Sequence, residues 1–171
     1  MADSKDEKIE ERGGATGKVV LFVVLAVVWV LADHMAKQAF AGQKPGGVLA
    51  GPFAGLIDFR LVHNTGGAWG IFSNSTVALG VLSVVVCAIL AVYFFVCVKK
   101  LNLAETVGLA LVVGGGIGNA IDRFTQGFVT DFIEFSFFDF PVFNIADIGV
   151  TCGFVLIFLG LLVGYVKERN R

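Results

Sequence analysis

Four apolar runs, each about as long as a bilayer is thick, constrain this chain of 171 residues more than any other feature. A hydrocarbon core of about 30 Å needs roughly 20 consecutive helical residues. Lipid offers peptide groups no hydrogen-bond partners, so a segment inside it must close its own backbone bonds. Runs over 18–38, 77–98, 105–124 and 148–166 have the length for helices. The chain is 56% hydrophobic and 16% charged, against roughly 45–50% and 25% in soluble domains, and its mean hydropathy is +0.82. These values imply an integral membrane protein, mainly α, with four transmembrane helices. An even number of spans puts both termini on one side.

Lysine and arginine indicate which side that is. Lys5, Lys8, Arg12, Lys18, Lys99, Lys100, Lys167, Arg169 and Arg171 flank the ends that share a compartment, whereas the opposite loops hold Lys44 and Arg60. The positive-inside rule then makes both termini cytoplasmic. The first run, "VVLFVVLAVVWVLA", is apolar enough to be a signal-peptide core, but it continues into "DHMAK" without a small-residue cleavage site and is expected to stay as a helix. Residues 1–17, rich in charge, are expected to be a disordered cytoplasmic tail, and residues 18–171 the membrane unit.

Several chemistries are disfavoured. The net charge is −1 and the basic residues form no face, which argues against nucleic acid as a partner. Cys87, Cys97 and Cys152 all lie in apolar runs, odd in number and without a CxxC pair, so they read as packing residues. His34 and His63 have no HExxH spacing, and neither a metal nor another cofactor is expected.

The two opposite loops carry strand signals. "LIDFRLVH" alternates Ile57, Phe59 and Leu61 with Asp58 and Arg60, and "FVTDFIEFSFFDFPVF" is dense in phenylalanine and β-branched residues. A small extracytoplasmic β element is expected over the helix ends.

Polar residues concentrate at those same ends. Asp33 and Lys37 lie four apart at the exit of the first run; Asn119, Asp122 and Arg123 close the third; Asp131 follows; Asn144 and Asp147, in "FNIADIG", open the fourth. A carboxylate near the bilayer costs on the order of 2–3 kcal/mol, so each needs a functional reason. Two carboxylates at one depth suit an aspartyl protease, in which the pair shares one proton. They equally suit a small transporter or proton-relay protein, or a non-catalytic scaffold. Position alone leaves these readings open.

The motifs are more specific. "DHMAK", "HNTGGAWGIF", "GGGIGNAIDR", "GFVTDFIEF" and "FNIADIGVTCG" resemble, in order and spacing, the boxes of the bacterial lipoprotein signal peptidases, also called signal peptidase II. The resemblance runs from about Val19 to Val166 and implies a four-helix inner-membrane aspartyl endopeptidase with a small β cradle. It implies removal of signal peptides from prolipoproteins just before the diacylglyceryl-modified cysteine, with these proteins and membrane lipid as partners, no cofactor, and sensitivity to cyclic lipopeptide-type inhibitors. Asp131 and Asp147 match the catalytic pair; Asn119, Arg123 and Asn144 match polar residues around it; Asp33, Lys37 and Asn64 match the first two boxes. His34, Gly67 and Trp69 depart from the residues usual in those boxes.

Local roles follow from the residues themselves. Asn144 is expected to cap the fourth helix, which puts Asp147 in its first turn, where the macrodipole favours a charged carboxylate. Asp131, among Val129, Phe132 and Ile133, is expected to hold the shared proton because desolvation raises a carboxyl pKa. Gly114, Gly115, Gly116 and Gly118 read as a close helix-packing surface. Asp122, beside Arg123, is expected to support the site by ion pairing, while Glu134 and Asp139 read as solvated loop charges.

Overall fold

The computed structural model of the protein describes residues 3–67, 71–72 and 75–170, with side chains from residue 14 onward. Trp69 lies outside the described residues. The elements are α1 (Asp3–Gln38), β1 (Val48–Phe53), β2 (Ile57–Asn64), α2 (Thr76–Cys97), α3 (Leu103–Thr125), β3 (Val129–Phe135) and α4 (Ile145–Arg169). Four helical segments are long and apolar enough to cross a membrane: Gly14–Gln38, Thr76–Cys97, Leu103–Thr125 and Ile145–Arg169. The protein is thus a multi-pass membrane protein. The charge-rich residues upstream of the first span continue α1 as helical backbone from Asp3.

Helix α3 is the centre of the bundle. Of its apolar window 72% is buried, against 11%, 17% and 22% for α1, α2 and α4, most of whose valines, leucines and phenylalanines stay exposed. In water such a surface would be untenable; in lipid it is the solvated face. Glycine lets the backbones approach. A Cβ on Gly114 would meet the Ala26 carbonyl at 2.9 Å, one on Gly116 the Cys87 sulfur at 2.5 Å, one on Gly118 an Asp33 oxygen at 2.7 Å, and one on Gly115 would overlap the Ala146 carbonyl. The four glycines therefore serve α1, α2 and α4 in turn.

Helices α3 and α4 start alike. Asn102 accepts from the Glu105 amide while Glu105 accepts from the Asn102 amide, and Asn144 and Asp147 repeat this reciprocal cap on α4. At the end away from the sheet, Lys18 Nζ donates to the carbonyls of Val98 (3.2 Å) and Leu101 (2.6 Å), satisfying oxygens left open where α2 ends.

The connections α1–α2 and α3–α4 emerge at the other end and form one antiparallel sheet in the order β1-β2-β3. Strands β2 and β3 lie where the loop patterns predict. The edge strand β1 carries no such pattern: its sequence, VLAGPF, interrupts alternation with Gly51 and Pro52, and proline is tolerated there because β1 pairs only with β2. Register sets Val62 opposite Asp131 and Asn64 opposite Val129. Phe132 stacks on Phe40 just beyond α1, with ring centroids 4.5 Å apart, fixing the sheet to the bundle. After β3 the chain loops back, and Ile133 and Phe143 exchange backbone hydrogen bonds of 2.8 and 2.9 Å before α4 begins. Glu134 departs from its sequence reading: it lies in β3, its carboxylate 2.9 Å from Arg60 Nε, an ion-pair distance without hydrogen-bond alignment. Asp139 is an exposed loop residue, as its composition context predicts.

Candidate active site

Asp131 and Asp147 reach the same cavity from different elements. Asp131 hangs from the buried strand β3; Asp147 occupies the first turn of α4, held there by its reciprocal cap with Asn144. The cavity encloses about 470 Å³ and is lined by both aspartates, Asn64, Asn119 and Arg123, together with apolar residues of the 135–143 loop and of α4.

Two asparagines join the carboxylates. Asn144 Nδ2 donates to Asp131 Oδ1 at 2.7 Å and to Asn119 Oδ1 at 3.0 Å, and Asn119 Nδ2 donates to Asp147 Oδ1 at 2.8 Å. Asp147 Oδ2 accepts from the Asn144 backbone N–H at 3.1 Å, and Asn64 Nδ2 donates to Asp131 Oδ2 at 2.9 Å. The orientation of both amides is dictated by their other partners. Lys37 has only donors, so the Asn119 oxygen faces it, at 3.0 Å, and its amino group must face Asp147. The Asp147 backbone N–H takes the Asn144 oxygen at 3.0 Å, which turns that amino group toward Asp131.

Behind the asparagines lies a buried ion cluster. Lys37 Nζ is 2.7 Å from Asp33 Oδ2 and 3.1 Å from Asp122 Oδ2, with all three side chains at most 4% exposed. Each carboxylate also holds a backbone amide: Asp33 Oδ1 accepts from Ala146 N–H at 2.9 Å, at the start of α4, and Asp122 Oδ2 from Thr130 N–H at 3.0 Å, next to Asp131. The cluster thereby fixes the backbone on either side of the site. Asp122 does ion-pair, but with Lys37 and not with its neighbour Arg123, because successive helical residues point about 100° apart. Arg123 instead donates to the carbonyls of Gly66 (3.2 Å) and Asn119 (3.4 Å), tying the loop after β2 to α3.

Burial pushes the Asp131 carboxyl from 3.8 up to about 7, and the nearby Asp147 charge adds to the rise; the amides of Asn64 and Asn144 and the Lys37 charge oppose it. A carboxyl in that range can hold or release a proton at neutral pH. Among the described residues no group of three His, Cys, Asp or Glu side chains is placed to hold a metal ion. The thiols are not alike: Cys87 is buried, Cys97 is half-buried, and Cys152 is exposed and lines the cavity wall.

The nine candidate site residues, Asp33, Lys37, Asn64, Asn119, Asp122, Arg123, Asp131, Asn144 and Asp147, thus belong to one connected cluster. Sequence reasoning missed the Lys37–Asp122 and Lys37–Asn119 contacts. A signal existed: one lysine against two membrane-depth aspartates on separate helices demands a shared partner.

A family model described as signal peptidase II matches residues 25–163. A lipoprotein signal peptidase of Lactobacillus johnsonii is 33% identical over 153 residues, 90% of this chain and 97% of the relative, and one of Staphylococcus aureus is 34% identical over 151 residues, covering 87% and 92%. Among solved structures, a bacterial membrane enzyme determined at 2.3 Å superposes with a TM-score of 0.79 at 32% identity, covering 90% of this chain and 94% of that one. A second, at 1.9 Å, gives 0.73 at 34% identity over 84% and 94%. This chain belongs to the signal peptidase II family.

Proposed function

We propose that the protein is an aspartyl endopeptidase of the bacterial inner membrane that removes signal peptides from prolipoproteins, cutting just before the diacylglyceryl-modified cysteine. The observation that carries this reading is the pair Asp131 and Asp147, bridged by Asn119 and Asn144 inside one cavity at a single end of the bundle. In the resting state Asp131 keeps the shared proton, since its strand is buried and its carboxyl pKa is raised to about 7. Asp147 is the member of the pair assigned the charge, because at the helix N-terminus backbone N–H groups and the macrodipole favour the carboxylate over its neighbour.

Asp147 accepts a proton from a water molecule as its oxygen attacks the scissile carbonyl carbon, and Asp131 donates its proton to the carbonyl oxygen. The resulting gem-diol collapses when Asp147 passes its proton to the leaving nitrogen and Asp131 recovers one from a diol hydroxyl. Atoms and charges balance, and the pair returns to its starting protonation. Arg123, Asn64, Asn119 and Asn144 hold the geometry or touch the peptide, and Asp33, Lys37 and Asp122 position them.

The lysine and arginine bias puts both termini in the cytoplasm and the site at the extracytoplasmic face. Residues 18–171 form the catalytic unit and residues 1–17 a cytoplasmic tail. Cyclic lipopeptide-type inhibitors would compete for the same cavity. A transporter or proton relay would want its polar groups near the midplane between repeats, whereas these cluster at one end. Purified protein incubated with a diacylglyceryl-modified prolipoprotein and with its unlipidated form tests the reading. Cleavage before the modified cysteine of the first alone is expected; no cleavage of either by folded protein would overturn it.

A further inference from the structure

A second cavity, of about 400 Å³, adjoins the first, and the two share Asn64, Gly67, Asp131, Pro141 and Val142 as a common rim. Their walls differ in kind. The first continues along α4 past Ile148, Val150, Thr151 and Cys152, inside a membrane span. The second is walled by His63, Thr65 and Asp139, all outside the spans. Among the described residues no lysine or arginine lines it, and the exposed Asp139 carboxylate takes part in none of the ion pairs.

The proposed reaction fixes which part of the substrate goes where. The signal segment is apolar and the acyl chains hang on the cysteine directly after the cut, so both must remain at lipid depth, beside α4. The residues that follow the cysteine must leave for water. Of these two cavities, both lined by Asp131, the second is the one whose described walls lie wholly outside the membrane spans.

We infer that the second cavity receives the first residues after the modified cysteine, and that Asp139 makes it favour cationic side chains there. This rests on the peptidase reading above and adds a specificity determinant to it. Exposed single charges interact weakly, so the preference is about two- to fivefold in kcat/KM at low salt and fades as salt rises.

The test uses two diacylglyceryl-modified prolipoproteins that differ only in the two residues after the cysteine, Lys-Lys in one and Glu-Glu in the other, cleaved in uncharged detergent so that no anionic lipid attracts the basic substrate. The expected result is faster cleavage of the Lys-Lys substrate, a ratio near one with Asp139→Asn, and a reversed ratio with Asp139→Lys. Both substrates meet the same preparation, so the ratio does not depend on how much enzyme is active. Equal cleavage of both substrates by the wild type, or a ratio that Asp139→Asn leaves unchanged, would overturn the inference while leaving the peptidase reading intact. Failure of the wild type to cut either substrate would instead strike the peptidase reading itself.

Discussion

Asn144 serves both carboxylates with one side chain: its oxygen caps α4 and its amino group binds Asp131. Serine caps a helix about as well as asparagine but has no amino group to reach Asp131. Asn144→Ser is therefore expected to keep the cap, to lower stability by roughly 1–3 kcal/mol through the buried acceptors of Asp131 and Asn119 that lose their donor, and to lower kcat/KM by tenfold or more. Because the Asn144 bond holds the Asp131 pKa down, its loss should also move the alkaline limb of the pH–rate profile to higher pH. An unmoved limb would make Asn144 a cap alone. Asp131 itself gives a sign-definite expectation. Its carboxyl rises from 3.8 to about 7 on folding, so the folded state binds this proton more tightly than the unfolded chain. The group then costs stability progressively between about pH 4 and pH 7, on the order of 4 kcal/mol in full. Thermal unfolding of Asp131→Asn and wild type in detergent should show their Tm gap shifting in the variant's favour across that window and staying level above it. Wild-type kcat/KM should likewise fall above about pH 7, where Asp131 loses the proton it must donate.

At the scale of elements, the glycines of α3 are where packing is closest. Gly115→Ala places a methyl group on the Ala146 carbonyl, in the first turn of α4 beside Asp147, and is expected to lower stability by roughly 1–3 kcal/mol. Gly164→Ala in α4 has nothing within 4 Å of the new Cβ and should raise it by about 0.5–1 kcal/mol through helix propensity. Tm values of the two variants in the same detergent check the pair. The spans were legible because bilayer thickness sets their length and hydropathy marks it, and β2 and β3 because alternation and aromatic density survive in the loops. The start of α4 at Ile145, ahead of its apolar run, was legible only through Asn144, whose capping chemistry puts Asp147 in the first turn. Strand β1 was not legible, because an edge strand with a Gly-Pro step owes its existence to β2 and not to its own pattern. The shared role of Lys37 was equally hidden: the i,i+4 pair with Asp33 lies within one helix, whereas Asp122 and Asn119 reach Lys37 only once α1 and α3 have packed.

For the whole molecule, connectivity places the sheet and the buried polar cluster at one end and the α2–α3 turn with both termini at the other. A reporter fused after Arg171, or a cysteine label near Lys99, should behave as cytoplasmic, and a label in the 39–46 loop as extracytoplasmic; the reverse pattern would invert the proposed orientation. Such an arrangement suits a bond cleaved where a lipid-anchored chain leaves the bilayer. A buried ion cluster fixes the backbone, two asparagines pass that order to two carboxylates, and an apolar wall along α4 continues into the membrane.

The central claim is that Asp131 and Asp147 together perform the chemistry, and single-turnover cleavage of a diacylglyceryl-modified prolipoprotein by Asp131→Asn and Asp147→Asn tests it most directly. General acid–base groups contribute about 10²–10⁴-fold each, so each variant, shown to be folded by its thermal transition, should cut at least about 10²-fold more slowly than wild type. A folded variant of either residue that retains a tenth or more of the wild-type rate would contradict the account.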